Sequence, residues 1–199
     1  PNATVESAQK GQLYWLQIRP MVDRKEMLDQ NLIEVSNDRV LLKSMTALGH
    51  GMMDNITSIV IVNDDKFSMS NNSLIAREIE KINRNFTLNN ENYILIGPGR
   101  WGSSDPALGI PVKWPHISAA KVIVESSMPG NRIEPSQGTH FFQNLTSFGV
   151  GYFTVGAPDD GSIYDRTFLD LIPAEYESEN VRIVKFDKPL VVALNGKKG

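Results

Sequence analysis

The chain has 199 residues, 41% of them apolar and 22% charged, the balance of an ordinary globular protein, which excludes a mostly disordered polymer. Its 20 basic and 23 acidic side chains leave a net charge of −3, which argues against a nucleic-acid partner, and no apolar run reaches the roughly 20 residues of a membrane-spanning helix. Cysteine is absent, so disulfides, thiolate nucleophiles and cysteine-based zinc sites are excluded, which fits a cytoplasmic protein. The start at Pro1-Asn2-Ala3, with neither Met nor a signal-peptide pattern, reads as a piece cut from something longer.

The first apolar stretch, Leu13-Tyr14-Trp15-Leu16-Gln17-Ile18-Arg19, lies between Gly11 and Pro20 and reads as a strand. Alternation sets Trp15, Gln17 and Arg19 on one face and Tyr14, Leu16 and Ile18 on the other. The polar residues 21–30 read as a linker or a short helix. From Asn31 the pattern is that of a compact mixed domain. Leu32–Val35, Val40–Leu42 and Ser58–Val62 read as strands, whereas Ala47–Met53, with Gly49 and Gly51, reads as a loop. The clearest helix is Ser73–Phe86, where Ile75, Ile79, Ile82 and Phe86 recur at helical spacing and Asn72 or Ser73 can cap the start. Tyr93–Ile96 reads as a buried strand feeding a loop. Residues 97–116 hold four glycines and four prolines, which excludes a long helix there. Beyond them, Lys121–Glu125 is strand-like and Ser136–Phe148 helical, although Gly138 weakens that helix. Gly151–Val155, Ile163–Ile172, Val181–Phe186 and Leu190–Leu194 are mostly strand-like. Seven acidic residues and one arginine in 159–180 read as a solvated loop face. These elements predict an α+β or α/β fold with a mixed sheet and few helices.

The stretch Gly97-Pro98-Gly99-Arg100-Trp101-Gly102-Ser103-Ser104-Asp105 is the most unusual. Gly97, Gly99 and Gly102 fit the G-x-G-x-x-G spacing, and Glu125 follows where a ribose-binding acid would stand. A dinucleotide fingerprint requires a helix next, yet Pro106, Pro111 and Pro115 come instead. The same stretch fails as a phosphate-binding P-loop because Ser103 stands where the lysine is needed. What survives is an anion-binding turn, with backbone N–H groups of Gly97, Gly99 and Gly102, the Arg100 guanidinium, and the hydroxyls of Ser103 and Ser104 as donors. The alternative is a tight architectural loop in which Arg100 pairs with Asp105 and Trp101 packs on the core. His50, His116 and His140 have no histidine at i+3 or i+4, so no metal motif lies on a single element. His140, beside Phe141 and Phe142, reads as a hydrogen-bonded core residue, and Glu134 and Asp105 are acids that sequence cannot bring together.

Tyr14-Trp15-Leu16-Gln17-Ile18-Arg19-Pro20 resembles the last strand of the nucleotide-binding domain of phosphoenolpyruvate synthase and pyruvate phosphate dikinase, an ATP-grasp family. The resemblance implies that Gln17 and Arg19 lie beside the nucleotide in a full-length parent that binds ATP and Mg. It implies a division into 1–24, the terminal ATP-grasp strand plus linker, and 25–199, a C-terminal mixed α/β accessory domain. The family's phosphohistidine segment has no counterpart around His50, His116 or His140. Ile96–Trp114 and Pro135–Ser147 look like a C-terminal region of large proteins carrying such a domain, and no activity comes with that likeness. The implied partner is the upstream ATP-grasp domain of the same chain, with a homodimer through the N-terminal strand as the consequence of cutting it off. Three functions compete: an accessory domain binding an anion, inactive alone; a scaffold or protein-interaction domain without a small ligand; and an independent enzyme using 97–105, Glu134 and His140.

Overall fold

The computed structural model describes residues 40–127, 141, 145, 147–156 and 161–195. The expected strand at 13–19, the linker at 21–30 and the strand at 32–35 lie outside the described residues.

The elements are β1 (Leu42–Lys43), β2 (Thr46–Leu48), β3 (His50–Val62), α1 (Asn72–Leu88), β4 (Tyr93–Pro98), β5 (Arg100–Trp101), β6 (Gly109–Ile110), β7 (Ala120–Ser126), β8 (Gly151–Val155), β9 (Ile163–Tyr164), α2 (Arg166–Leu171), β10 (Ala174–Glu177) and β11 (Val181–Asn195). Seven strands form one mixed sheet in the order β10-β11-β3-β4-β7-β8-β2, and two short pairs, β1–β9 and β5–β6, stand apart from it. Strands β3, β4, β7 and β8 are parallel, and β10, β11 and β2 complete the sheet with antiparallel pairings. The fold is α+β, with a mixed sheet and few helices.

A parallel sheet needs both faces covered, and β4 shows it: all six of its residues are buried. On one face Val60, Val62, Leu95 and Ile123 pack against Ile75, Ile79 and Phe86 of α1, against Trp101, Ile110 and Ile117, and against the helical residues Phe141 and Leu145. On the other, Ile59, Ile61, Ile94, Ile96, Val122 and Val124 pack against Leu169 of α2. The described parts of the segments joining successive parallel strands lie on a single face. The strand order among these parallel strands never reverses, so the described residues form no switch-point crevice of the kind that seats a dinucleotide.

The long strands β3 and β11 pair along most of their length, and β11 also reaches β2 at the far side of the sheet. Leu194 marks the approach: a Cβ on Gly49, just after β2, would lie 3.5 Å from its Cδ1, and one on Gly151 of β8 would lie 2.8 Å away. The sheet thus curls on itself at the start of the parallel strands.

The structure revises several boundaries. Ala47–Met53 is not a loop but the end of β2 and the start of β3, because Met52, Met53 and their neighbours find partners in Ala193 and Val192 of β11. Gly49 (φ 110°) and Gly51 (φ 125°) supply the positive φ that carries the chain between the two strands. Ile163–Ile172 is strand only at Ile163–Tyr164 and then helix, since the Asp165 side chain accepts from Phe168 N–H and Arg166 pairs with Asp170 at 2.9 Å. The two strands expected at 181–186 and 190–194 are one, with register shifts around Leu190 absorbing Pro189. The acidic stretch is accordingly not all loop, as it contains α2 and β10.

Helix α1 has no side-chain cap of its own, because Asn71 occupies the N-cap and makes no capping bond. Asn72 is spent elsewhere. Fully buried, it donates to the carbonyls of Pro106 (2.7 Å) and Gly109 (3.2 Å) and accepts from Ser68 N–H. Asn83 repeats the device about three turns on. It donates to Pro115 O at 3.1 Å and Ser118 Oγ at 3.2 Å, and its carbonyl accepts from Tyr93 OH at 3.0 Å and Ala119 N–H at 2.9 Å. Burial pushes the Tyr93 hydroxyl's pKa well up, so it stays a donor. Replacing Asn83 by Leu keeps the branched shape but strands Tyr93 OH and Ala119 N–H, at about 1–3 kcal/mol each. Urea unfolding of Asn83→Leu is expected to show a loss of about 2–4 kcal/mol, far beyond a surface substitution.

Candidate functional site

The carboxyl ends of β4, β7 and β8 lie side by side, with Pro98 opposite Ser126 and Ser126 opposite Val155. The glycine-rich stretch leaves β4 at this edge. Gly99 (φ 73°) turns the chain back, and its N–H donates to Ser126 O at 3.1 Å. Arg100 and Trp101 then form β5 against Gly109 and Ile110 of β6. Side chains alternate along this short strand, so the two residues face opposite ways: Trp101 goes into the core, 1% exposed, and Arg100 stays half-buried at the edge.

Trp101 is fixed twice. Its indole N–H donates to Val124 O and its backbone N–H to Glu125 Oε1, both at 3.0 Å. Glu125, only 5% exposed, accepts at Oε2 from the Tyr152 hydroxyl at 2.5 Å. A buried carboxylate held by two donors costs far less than an unpaired one, and here it ties β5, β7 and β8 together.

The glycines answer to this packing. A Cβ on Gly97 would come within 2.6 Å of the Trp101 ring, one on Gly102 within 2.5 Å of Phe141, and one on Gly109 within 1.9 Å of Arg100 O. The dinucleotide spacing therefore arises from a tryptophan seat and two tight turns, and the helix that the fingerprint needs does not follow: residues 103–108 are turns leading to β6.

Gly97, Gly99, Arg100, Gly102, Ser103 and Ser104 thus share one edge of the sheet, but several expected donors are already committed. The amides of Gly99, Arg100, Trp101 and Gly102 donate to Ser126 O, Leu108 O, Glu125 Oε1 and Ile110 O. Ser103 Oγ closes a turn on Asp105, donating to its carbonyl and accepting its N–H. Asp105 does not pair with Arg100; its carboxylate accepts from Ala107 N–H at 2.9 Å. Of the remaining expected donors, Ser104 is exposed and Arg100 is half-buried. Glu125 does stand next to the glycine turn, as the ribose-acid spacing suggested, but its carboxylate serves the fold.

Gln17, Arg19, Glu134 and His140 lie outside the described residues, and His50 opens β3. His116 is structural: its Nδ1 accepts from Lys113 N–H at 3.2 Å, capping a 3-10 turn at Trp114–Ile117. Sequence reasoning missed Tyr152 and the anchoring of Glu125. The available signal was a lone carboxylate closing the apolar run Val122–Val124.

A second polar cluster lies near the carboxyl end of β3. Arg166 pairs with Asp170 at 2.9 Å and approaches Asp64 at 3.8 Å, with Tyr164 beside it. Burial pushes the Tyr164 hydroxyl up to about 12. Burial also raises Asp64, and Arg166 only partly offsets it while Asp170 and Asp65 add to it.

Among the described residues no group of three or more His, Asp or Glu side chains is gathered as metal ligands, and no helix is long and apolar enough to cross a membrane. Comparison with family models, curated proteins and solved structures yields no match to this chain.

Two outcomes are expected. Tyr152→Phe leaves one Glu125 oxygen without its hydroxyl donor and should lower stability by about 1–3 kcal/mol, read by denaturant unfolding. Asp64, with its pKa raised in the folded state, favours folding while protonated and loses that advantage as pH rises through the folded value. Asp64→Asn should therefore melt above wild type at pH 7, with the gap closing near pH 3, as scanning calorimetry at the two pH values would record.

Proposed function

We propose that this chain is the accessory domain of a larger ATP-dependent phosphotransferase resembling phosphoenolpyruvate synthase and pyruvate phosphate dikinase, and that it holds a small phosphate- or carboxylate-bearing ligand at the carboxyl edge of its parallel sheet without catalysing a reaction alone. The observation that carries the reading is Arg100, half-buried at that edge on a turn whose backbone is fixed from both sides by Trp101 and Gly109. A guanidinium on a rigid turn is pre-organised for an oxyanion, so little side-chain freedom is lost on binding. With the amides of 99–102 committed inward, the charge comes from Arg100 and the remaining hydrogen bonds from Ser104 and its turn.

ATP and Mg belong, in this reading, to the parent's upstream domain. The described residues offer no metal-ligand cluster.

The second reading, a scaffold domain, draws on one observation: packing alone accounts for Gly97, Gly102 and Gly109. The two readings separate on Arg100→Ala. A bound oxyanion held by a charge-assisted contact worth roughly 1.5–3 kcal/mol predicts affinity falling by about one to two orders of magnitude. Thermal melts with phosphate, pyrophosphate and phosphoenolpyruvate should show wild type stabilised by the anion and the variant not stabilised by it. A variant that melts several degrees lower, with no anion stabilising wild type, would favour the scaffold. Calorimetric titration with Mg-ATP is expected to show no low-micromolar binding by the chain alone, since the phosphate-cradling loops of an ATP site are expected upstream.

A further inference from the structure

The two faces of the seven-strand sheet are finished differently. Under α1, the buried side chains of Asn72, Asn83 and Glu125 each use both of their polar atoms in hydrogen bonds. Among the described residues four buried side-chain atoms make no hydrogen bond: Ser126 Oγ, Tyr164 OH, Arg166 Nη1 and Arg182 Nε. All four lie on the opposite face. Ser126 alternates with Val122 and Val124 along β7, Arg182 stands across from Ile61, Tyr164 packs on the cluster those residues form, and Arg166 belongs to α2. Folded proteins pair nearly all of their buried polar groups, so four exceptions gathered on one face ask for a reason.

The reason lies in how this face is covered. Residues 161–173 cross it as β9 followed by α2, entered at Gly161 (φ 71°) and left at Pro173. Helix α2 buries one side chain completely, Leu169, and leaves Phe168 48% and Leu171 78% exposed. Its remaining ties are polar. Asp165 N–H donates to Leu41 O at 2.9 Å, Arg166 approaches Asp64 at 3.8 Å, and Arg182 Nη2 donates to the carbonyls of Asp170, at 3.3 Å, and Ile172. Three of the four unbonded atoms belong to the same residues or to Tyr164 just before them. Holding the segment down therefore takes three polar atoms out of water without giving them partners, a penalty that exists only while it is down.

We propose that residues 161–173 form a strap that lifts from this face as a unit while the seven-strand sheet stays folded. Burial of Leu169 closes the strap, and hydration of Tyr164 OH, Arg166 and Arg182 favours its opening. Lifted, it bares the apolar cluster of β3, β4 and β7 to which Leu169 belongs, with Ser126 Oγ at the carboxyl end of that cluster. Movable covers are drawn from the least stable parts of a structure, and a six-residue helix with one buried side chain is such a part. The strap lies on the face opposite Trp101 and the glycine-rich turn, so it does not depend on the reading of Arg100.

The test is native-state hydrogen exchange of the full chain, followed by NMR at increasing urea below the unfolding midpoint. The probes are the amides of Asp165, Phe168, Leu169 and Ile172, each hydrogen-bonded within the strap or to Leu41 O, with β4 as the reference for global unfolding. The four amides are expected to share one opening constant, at least about a hundredfold more open than β4 and nearly independent of urea. Tyr164→Phe keeps the ring and removes one unbonded hydroxyl. It should slow exchange of the strap by about tenfold, because the closed form no longer carries that atom unpaired. Strap amides that track β4 at every urea concentration would overturn the proposal. So would rates graded from one end of the segment, which mark fraying, or a Tyr164→Phe variant whose strap exchanges as fast as wild type or faster.

Discussion

The Glu125 carboxylate is the constraint on which the carboxyl edge of this sheet depends. It sits at the end of a central strand, 5% exposed, where an unpaired charge would be prohibitive. Its two oxygens are matched from two directions, by a backbone N–H from β5 and by a hydroxyl from β8. Both donors come from neighbouring strands, so β5, β7 and β8 are coupled through one side chain. Ordinary parallel sheets use a helix for each crossover, and the crossover between β4 and β7 has none. Here buried side chains take over the helix's task of satisfying the backbone.

That substitution explains why the segment 99–119 is so well defined despite its glycines and prolines. Asn72 holds its middle through the carbonyls of Pro106 and Gly109, and Asn83 holds its end through Pro115 and Ala119. Trp101 fills the space beneath, with Gly97 shaped to receive it. Backbone groups that would otherwise be orphaned under a loop are given side-chain partners, which is the condition for burying irregular backbone at all. A turn held this firmly presents Arg100 in a fixed place, so a single cation there has the pre-organisation that an exposed flexible arginine lacks.

Much of the fold is legible in the sequence wherever one local rule governs it. The isoleucine spacing of α1 marks a helix that the structure extends by one or two residues at each end, and Gly151–Val155 is a strand with the boundaries its apolar run gives. Legibility fails where a distant partner decides. Gly49 and Gly51 look like a loop until β11, more than 140 residues later, supplies a strand to pair with. The helix at Arg166 is a different failure, since its signals are local: an aspartate cap and an i, i+4 ion pair hidden in an apolar run. At the candidate site, the glycine turn stands out in the sequence but its purpose does not. The bonds that set it join residues 24, 27 and 34 positions apart, beyond any periodicity.

The central claim is that the glycine-rich turn is a rigid part of the core, pinned by Glu125, and not a loop that opens to enclose a ligand. Native-state hydrogen exchange at the Trp101 backbone N–H and its indole N–H tests this directly, because both protons are donated to β7. The account predicts that both exchange only through global unfolding, with the same apparent free energy as the amides of β4. Exchange of either proton several kcal/mol more readily than β4, as for a surface loop with about 0–2 kcal/mol of local stability, would contradict it.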